Sequence, residues 1–334
     1  MKELVGRLIA SDPVASEELR IIQHFDQLVR GKMGVGSLLR EAAMVSRSTL
    51  GYVNGPRRLQ FSSTGLPVRY RNPDPGVPRV EVTTGAGVWL EVGAASAPGH
   101  RMVLDRVALA IEITEGRDPE ENRLHTALEV LLSTDAAGDE SEARWAAAAR
   151  LHLDPEAKYR AVASAVGQEW PPRWPSALMA TPWGPVRGAV LQPDTSWDAA
   201  GGIGVPTSPL ALQHSWRSAL FAWRLSGQGG RFSAESLGPL LTVLEAAESS
   251  GWIHPDRGVI EGVLARNWSI AELQAIADGA SVRAIASAAG LHHSTVQLHL
   301  PRLSAALGFD VVSPIGRIRL QIGLLLRRIE PTAR

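Results

Sequence analysis

The chain has 334 residues, more than one compact domain usually takes, so two or three folding units are expected. Cysteine is absent, which excludes disulfides, thiolate zinc sites, iron–sulfur clusters and a cysteine nucleophile. Lys+Arg and Asp+Glu both total 34, so no whole-chain charge draws the protein towards nucleic acid or an anionic membrane.

The opening MKELVGRLIASDPVASEEL has only a short apolar run with acids close behind, and nowhere is there an apolar run of the ~18 residues a bilayer span needs. Neither a targeting peptide nor a membrane partner is expected, and the expected location is cytoplasmic. Lysine occurs only at Lys2, Lys32 and Lys158, so 31 of the 34 basic residues are Arg, and Ala and Gly are abundant as well. That pattern points to a GC-rich genome and makes any single arginine weak grounds for a function. Local charge says more. Residues 281–334 hold seven arginines against Asp310 and Glu330, a net +5, which leaves −5 for the preceding 280 residues. A basic C-terminal segment on an acidic remainder is the footprint of a nucleic-acid reader joined to something else.

In chain order, segment 17–30 carries Leu19, Ile22, Phe25 and Val29 at helical spacing and is broken by Gly31, Gly34 and Gly36. A second helix is predicted over SLLREAAMVS, opened by Ser37 with Glu41 in its second turn. STLGYVNGPRRLQFSSTG then reads as two strands around Asn54-Gly55, a strong hairpin signal. Extended pieces are predicted at 78–83 and 87–93, and a helix over 102–115. Helix, sheet, helix within roughly 100 residues predicts a small α+β domain. Residues 116–157 read as helical and polar, with a flexible stretch at Thr134–Ser141 and an Ala-rich helix around Trp145–Leu151. A second α+β pattern begins at Tyr159, where YRAVASAV, LMATPW, VRGAVLQP and GGIGVP read as strands. Ser208-Pro209 opens a helix whose apolar positions include Leu212, Trp216, Leu220 and Trp223. A strand at 230–233 and helices at 235–250 and 256–265 lead into the C-terminal segment.

The most specific stretch is SIAELQAIADGASVRAIASAAGLHHSTVQLHLPRLSAA, residues 269–306. Ser269 followed by Glu272 has capping-box spacing and opens a helix over 269–278. A second helix, 282–289, turns Ile285 and Ala286 inward. Gly290 then sits where a helix-turn-helix needs a tightly turned backbone, Leu291 plugs the turn, and Val296, Leu300 and Leu303 are the predicted buried face of the third helix. Small Ala286 lets the backbones approach, Gly290 makes the corner, and Val296 fills the space between.

An ordinary helical hairpin is the plain alternative, but His292, His293, Ser294, Thr295, Gln297 and His299 crowd the first two turns of the third helix. That is where a recognition helix presents side chains to base edges and phosphates. Thr295 and Gln297 are candidates for base edges, Ser294 and His293 for phosphate at the helix N-terminus, and Arg283 and Arg302 for phosphate. His292 and His293 as metal ligands is the sharper alternative. Adjacent helical positions diverge by about 100° and no acid stands nearby, so no metal is expected. Pro301 should kink or end the helix.

The C-terminal segment LGFDVVSPIGRIRLQIGLLLRRI resembles the ending of the PucR/CdaR-type bacterial regulators, in which a helix-turn-helix is followed by a short G-x-D connection and a basic amphipathic helix. The residues carrying the resemblance are Leu307, Gly308, Phe309 and Asp310, then Arg317, Leu320, Leu324 and Arg327. HHSTVQLHLPRL, with its leading histidine pair, is similar to that family's H-x-N-T-V-x-x-R-L-x-R-I signature at Thr295, Val296, Leu300, Arg302 and Leu303. It departs at Ser294, His299 and Pro301, which leaves DNA binding implied and the base preference open. Upstream, LLREAAMVSRSTLGYVNG with the VLDRVALAIEI helix resembles a GAF-like sensor. YRAVASAV, GGIGVPTS and LALQHSWRSALFAWRL resemble the degenerate nucleotide-cyclase-like (GGDEF-like) middle domain of these regulators.

A working cyclase of that kind needs carboxylates for Mg²⁺ on a turn between two strands, and the corresponding TPWGPVRG contains no acid. Gly201, Gly202 and Gly204 form no GxGxxG with a following helix, and GxxxxGK[ST], HExxH and GxSxG are all absent. No catalytic residues and no cofactor are therefore expected. Six tryptophans between Trp170 and Trp223 read as core filling or, alternatively, as an aromatic pocket or domain interface. Tyr52, Phe61 and Trp89 are candidates to line a site for a small-molecule effector, or else to form the core there.

The expectation is thus an α+β multidomain protein. Its predicted parts are an N-terminal helix and GAF-like sensor at 1–116, a GGDEF-like middle domain at 117–255 and an all-α helix-turn-helix domain at 256–334. The resemblance implies a transcriptional regulator that binds double-stranded DNA as a homodimer under effector control. An effector-independent regulator and a nucleotide-processing enzyme are the alternatives.

Overall fold

The structure is a computed structural model. It describes residues 13–329 apart from 84, 92–98, 118, 134–140, 169, 171–174, 193–194, 196, 228–229, 251–253 and 267. The fold is mixed α+β with a helical C-terminal region, in two compact units, one ending at Ser236 and the other beginning at Leu237.

The first unit opens with α1 (Pro13–Arg30) and α2 (Val35–Ser46). Strands β1 (Thr49–Asn54) and β2 (Arg57–Phe61) form the expected hairpin. Gly55, with φ +57°, takes the first central position of its two-residue turn and Pro56 the second, a combination suited to a type II′ turn. With β3 (Arg79–Thr83) and β4 (Ala86–Glu91) they make an antiparallel sheet in the order β2-β1-β4-β3. Helix α3 (Gly99–Glu115) packs on β3 and β4, α2 packs on β1 and β2, and α1 lies on α3. Strand alternation turns Leu50, Tyr52, Phe61, Val88 and Leu90 into one apolar core with these helices.

Helix α2 starts earlier than expected: its cap is Gly34, and Ser37 lies inside it, buried. The cause is distant in sequence. Glu129 lies against Gly34, where any Cβ would collide with its carboxylate, and Ser37 donates to that carboxylate from its hydroxyl and its backbone N–H. An acid from a later helix thus serves the first turn of α2, where free amides favour negative charge.

Tyr52 is fully buried and donates its hydroxyl to Glu115. Burial first, and that hydrogen bond second, raise its pKa from the usual 10.0 to about 12. The neutral phenol is the form the fold favours, so this contribution to stability is complete below the unfolded pKa near 10 and is lost as pH rises through about 12. Tyr52→Phe should flatten the stability profile between those two pH values in alkaline urea titrations. An unchanged slope would mean the hydroxyl is not desolvated.

The second sheet is preceded by α4 (Pro119–Leu132) and α5 (Ser141–Arg150). The flexible reading of Thr134–Ser141 falls on residues that, up to 140, lie outside the described ones. Buried Arg144 of α5 donates to the Leu131 and Ser133 carbonyls, at 3.0 and 2.8 Å, satisfying the orphan acceptors at the end of α4. Strands β5 (Arg160–Ser164), β6 (Ser176–Thr181), β7 (Gly184–Leu191), β8 (Gly201–Ile203) and β9 (Arg231–Ser233) form the sheet β6-β7-β5-β8-β9. All pairs are antiparallel except β8 with β9, which α6 (Leu212–Ser226) connects. Helix α6 lies on β5, β8 and β9, and its Ser215 and Ser218 hydroxyls accept from the Ala161 and Val205 amides.

Trp216, 3% exposed, belongs to the core of this sheet, with Trp183 and Trp223 packed against it. On the other face Trp170 and Trp197 stack at 4.6 Å. Trp174 lies outside the described residues.

Among the described residues the second unit holds α7 (Leu240–Ser250), α8 (Asp256–Leu264), α9 (Ile270–Ala277), α10 (Val282–Ala289), α11 (His293–Leu307) and α12 (Pro314–Ile329). It therefore takes in α7, ahead of the 256 start read from the sequence. The helix predicted over 235–250 is split into a 3₁₀ turn, Ala234–Leu237, and α7, with Gly238 at φ +51° and Pro239 between them. No helix among the described residues is long and apolar enough to cross a membrane.

Candidate nucleic-acid interface

Helices α8 to α12 close around one apolar core containing Ile260, Leu273, Ile276, Ile285, Val296, Leu303 and Leu320. Ser269 caps α9, its hydroxyl accepting from the Glu272 amide at 3.1 Å, and Ser281 caps α10 by accepting from the Ala284 amide. Helix α10 ends at Gly290, left-handed at φ 67° and ψ 30°. The Leu291 amide then closes onto the Ala286 carbonyl at 2.8 Å. Only Gly290, Leu291 and His292 separate α10 from α11. Ala286 is 5% exposed and Val296 is wholly buried, so the small residue, the glycine corner and the β-branched filler stand where two closely crossing helices need them.

The candidate contact residues divide by position. His293, Ser294, Gln297 and Arg302 are exposed along α11, Thr295 is half-buried on its flank, and Arg283 is exposed on α10. His292 belongs to the fold as much as to the surface. It is the N-cap of α11, its Nδ1 2.8 Å from the Ser294 hydroxyl. Because it stands outside the helix, its ring lies 4.1 Å from that of His293, and the 100° divergence expected of two helical neighbours does not apply. Among the described residues, no group of three or more His, Asp or Glu could hold a metal ion.

His299 corrects the expectation for the reading surface. It follows Val296 by three residues, which turns it towards the core flank. Its ring packs against Trp268 at 4.9 Å, and its Nδ1 stands 3.4 Å from Oε1 of Glu272, which is 2% exposed. Pro301 is a second correction: α11 runs through it unbroken to Leu307, with the ring on the exposed side.

The helical period also brings out a residue absent from the sequence-derived set. Leu298, 64% exposed, shares the outermost face with Ser294 and Pro301, opposite Val296 and Leu303. Its spacing from Val296 was the available signal. On another side of α11 an open apolar groove of about 710 Å³ is lined by Gln297, Leu300, Pro301, Ser304, Phe309 and Val312.

Tyr52, Phe61 and Trp89 do not form one effector site. Tyr52 and Phe61 face the helices, whereas Trp89 pairs with Gly51 and lies over it on the opposite face, against Tyr70. Alternation of side chains along a strand separates them. All three are at most 6% exposed.

Charge is distributed differently from the sequence expectation. Over 237–330 there are eight arginines and eight acids, so the compact unit is neutral. Asp256 takes Arg319 in a bidentate pair and Glu261 takes Arg327 at 2.6 Å, tying α12 to α8. The Arg319 guanidinium holds the Asp256 carboxyl below the ordinary carboxylate range and also sits over the Phe309 ring at 4.4 Å. Two of the basic-helix arginines are therefore structural. Arg283 and Arg302 are the exposed cations on the two helices of the corner.

The chain matches no protein-family model and no curated protein.

Proposed function

We propose that this chain is a cytoplasmic, DNA-binding transcriptional regulator of the PucR/CdaR type. In this reading α11 is the recognition helix of a helix-turn-helix, residues 1–116 are a GAF-like sensor and residues 117–255 a degenerate GGDEF-like domain. One such helix reads few base pairs, so the working form is a homodimer on two half-sites. The observation that carries the reading is the corner at α10 and α11. A three-residue turn on left-handed Gly290, closed over buried Ala286 and Val296, leaves the polar start of the next helix exposed.

Gln297 suits a bidentate contact to adenine, exposed Leu298 suits a thymine methyl group, and Ser294 and His293 suit phosphate. With a neutral unit, affinity rests more on such contacts than on bulk charge, so its salt dependence is shallow for a DNA-binding protein.

Gln297→Ala should relax selectivity at one base position at a cost of about 1–3 kcal/mol. Arg283→Ala should weaken all sites alike and reduce the salt slope by about one per protomer. Binding and slope unchanged in both variants would place the contacts elsewhere.

A second reading is an effector-independent regulator in which the first sheet and its helices serve only dimerisation. The filled core around Tyr52 and Trp89 favours it. The same proposal makes the chain a binder rather than an enzyme, so Mg²⁺-dependent turnover of nucleoside triphosphates would count against it.

A further inference from the structure

Within the first unit a cleft of about 350 Å³ opens between the two sheets, near the lower end of the roughly 300–1,000 Å³ of small-molecule sites. Its apolar walls come from separate elements: Leu59 and Phe61 from β2, Val130 from α4, Met179 from β6, and Trp216 and Leu220 from α6. Two guanidinium groups, Arg40 of α2 and Arg57 of β2, line it as well, and Arg40 stands over the Phe61 ring at 5.4 Å. Glu129 is the single acid of the lining. Burial pushes its carboxyl towards the neutral form, while hydrogen bonds from Ser37 and the charges of Arg57 and Arg40 act against that; its Oε1 is sealed from solvent.

Two guanidinium groups against one carboxyl leave that side of the cleft with an excess of positive charge, and the rest is apolar. Arginine is the side chain best suited to hold a carboxylate or phosphate by paired N–H donors. We propose that this cleft binds a small organic anion, its carboxylate or phosphate ester at Arg40 and Arg57 and its apolar body against Phe61, Trp216 and Leu220. Such a ligand touches both sheets at once and stabilises the unit by mass action. The assignment does not depend on what α11 binds.

The test is isothermal titration of the full chain with an isosteric series. The ligands are 3-phenylpropanoate, 3-phenylpropan-1-ol and 3-phenylpropylamine, with phenyl phosphate as the second anion. Binding of either anion, with the alcohol and amine weaker by roughly tenfold or more, is the expected result. Carboxylate or phosphate preference then identifies the head group. Arg57 is exposed, so Arg57→Gln should keep the wild-type melting temperature while losing roughly tenfold in anion affinity. Tryptophan fluorescence should respond to the anion in the wild type, and less so in the Arg57→Gln variant at the same anion concentration. No binding of either anion, equal binding of the alcohol, or an Arg57→Gln variant that holds the anion as tightly as wild type would overturn the proposal.

Discussion

Gly202→Ala is expected to lower the stability of the two-sheet unit by about 3 kcal/mol or more, the upper end of overpacking effects. A Cβ at that position would stand 2.1 Å from both the Ala219 carbonyl oxygen and the Trp223 amide nitrogen, and at Gly204 2.0 Å from the Ser215 carbonyl oxygen. All of these are backbone atoms of α6, which cannot give way as a flexible side chain would. Helix α6 lies on β8 at a distance only glycine allows, and its Ser215 and Ser218 hydroxyls depend on that approach. Gly258 and Gly262 in α8 are the matched controls, since a Cβ there meets nothing within 4 Å. Their alanine variants should be neutral or stabilising by up to about 1 kcal/mol. Urea denaturation of the three variants measures the contrast, and a Gly202→Ala midpoint equal to wild type would show that α6 does not lie this close.

The second large effect is expected at Leu303→Ala. Leu303 is wholly buried in the helical core, where loss of such a side chain costs about 2–5 kcal/mol. For a unit of this size that corresponds to a fall in melting temperature of roughly 4–8 °C per kcal/mol. Leu303 shares the buried face of α11 with Val296, so the helical unit should melt before the first unit and, under the proposed function, any DNA retention should be lost with it. Half-buried Ser304→Ala, one residue away, removes the hydroxyl that accepts from the Val311 amide at 3.2 Å and should cost only about 1 kcal/mol. Calorimetry showing equal effects at the two positions would place α11 in a different rotation.

Features decided by neighbours in the chain were legible in advance. The Gly55 hairpin, the Ser269 cap, the Gly290 corner and buried Val296 and Leu303 each follow from local backbone chemistry and the 3.6-residue period, whereas Leu300, expected with them, is only partly buried and lines the groove. Features decided across the fold were not. The start of α2 depends on Glu129, almost a hundred residues later. The inward turn of His299 depends on buried Glu272 in α9 and on Trp268. The separation of Trp89 from Tyr52 follows from strand alternation, yet its consequence needs the β1–β4 register. Residues 281–334 do sum to +5, but the compact unit runs from Leu237 to Glu330: without Arg334 its C-terminal part is +4, and the −4 of residues 237–280 cancels that. Gly202 and Gly204 looked like a failed phosphate loop and turn out to serve helix packing.

Whether α11 reads duplex DNA is decided by selecting fragments of the source genome on purified full-length protein at low ionic strength, alongside the Gln297→Ala variant. If it does, the wild type retains a small set of fragments sharing two half-sites about one helical turn, or a multiple of it, apart. The variant should retain a set relaxed at one position of each half-site. Failure of the wild type to retain any fragment above a non-specific background, with and without a bound anion, would rule α11 out as a recognition helix.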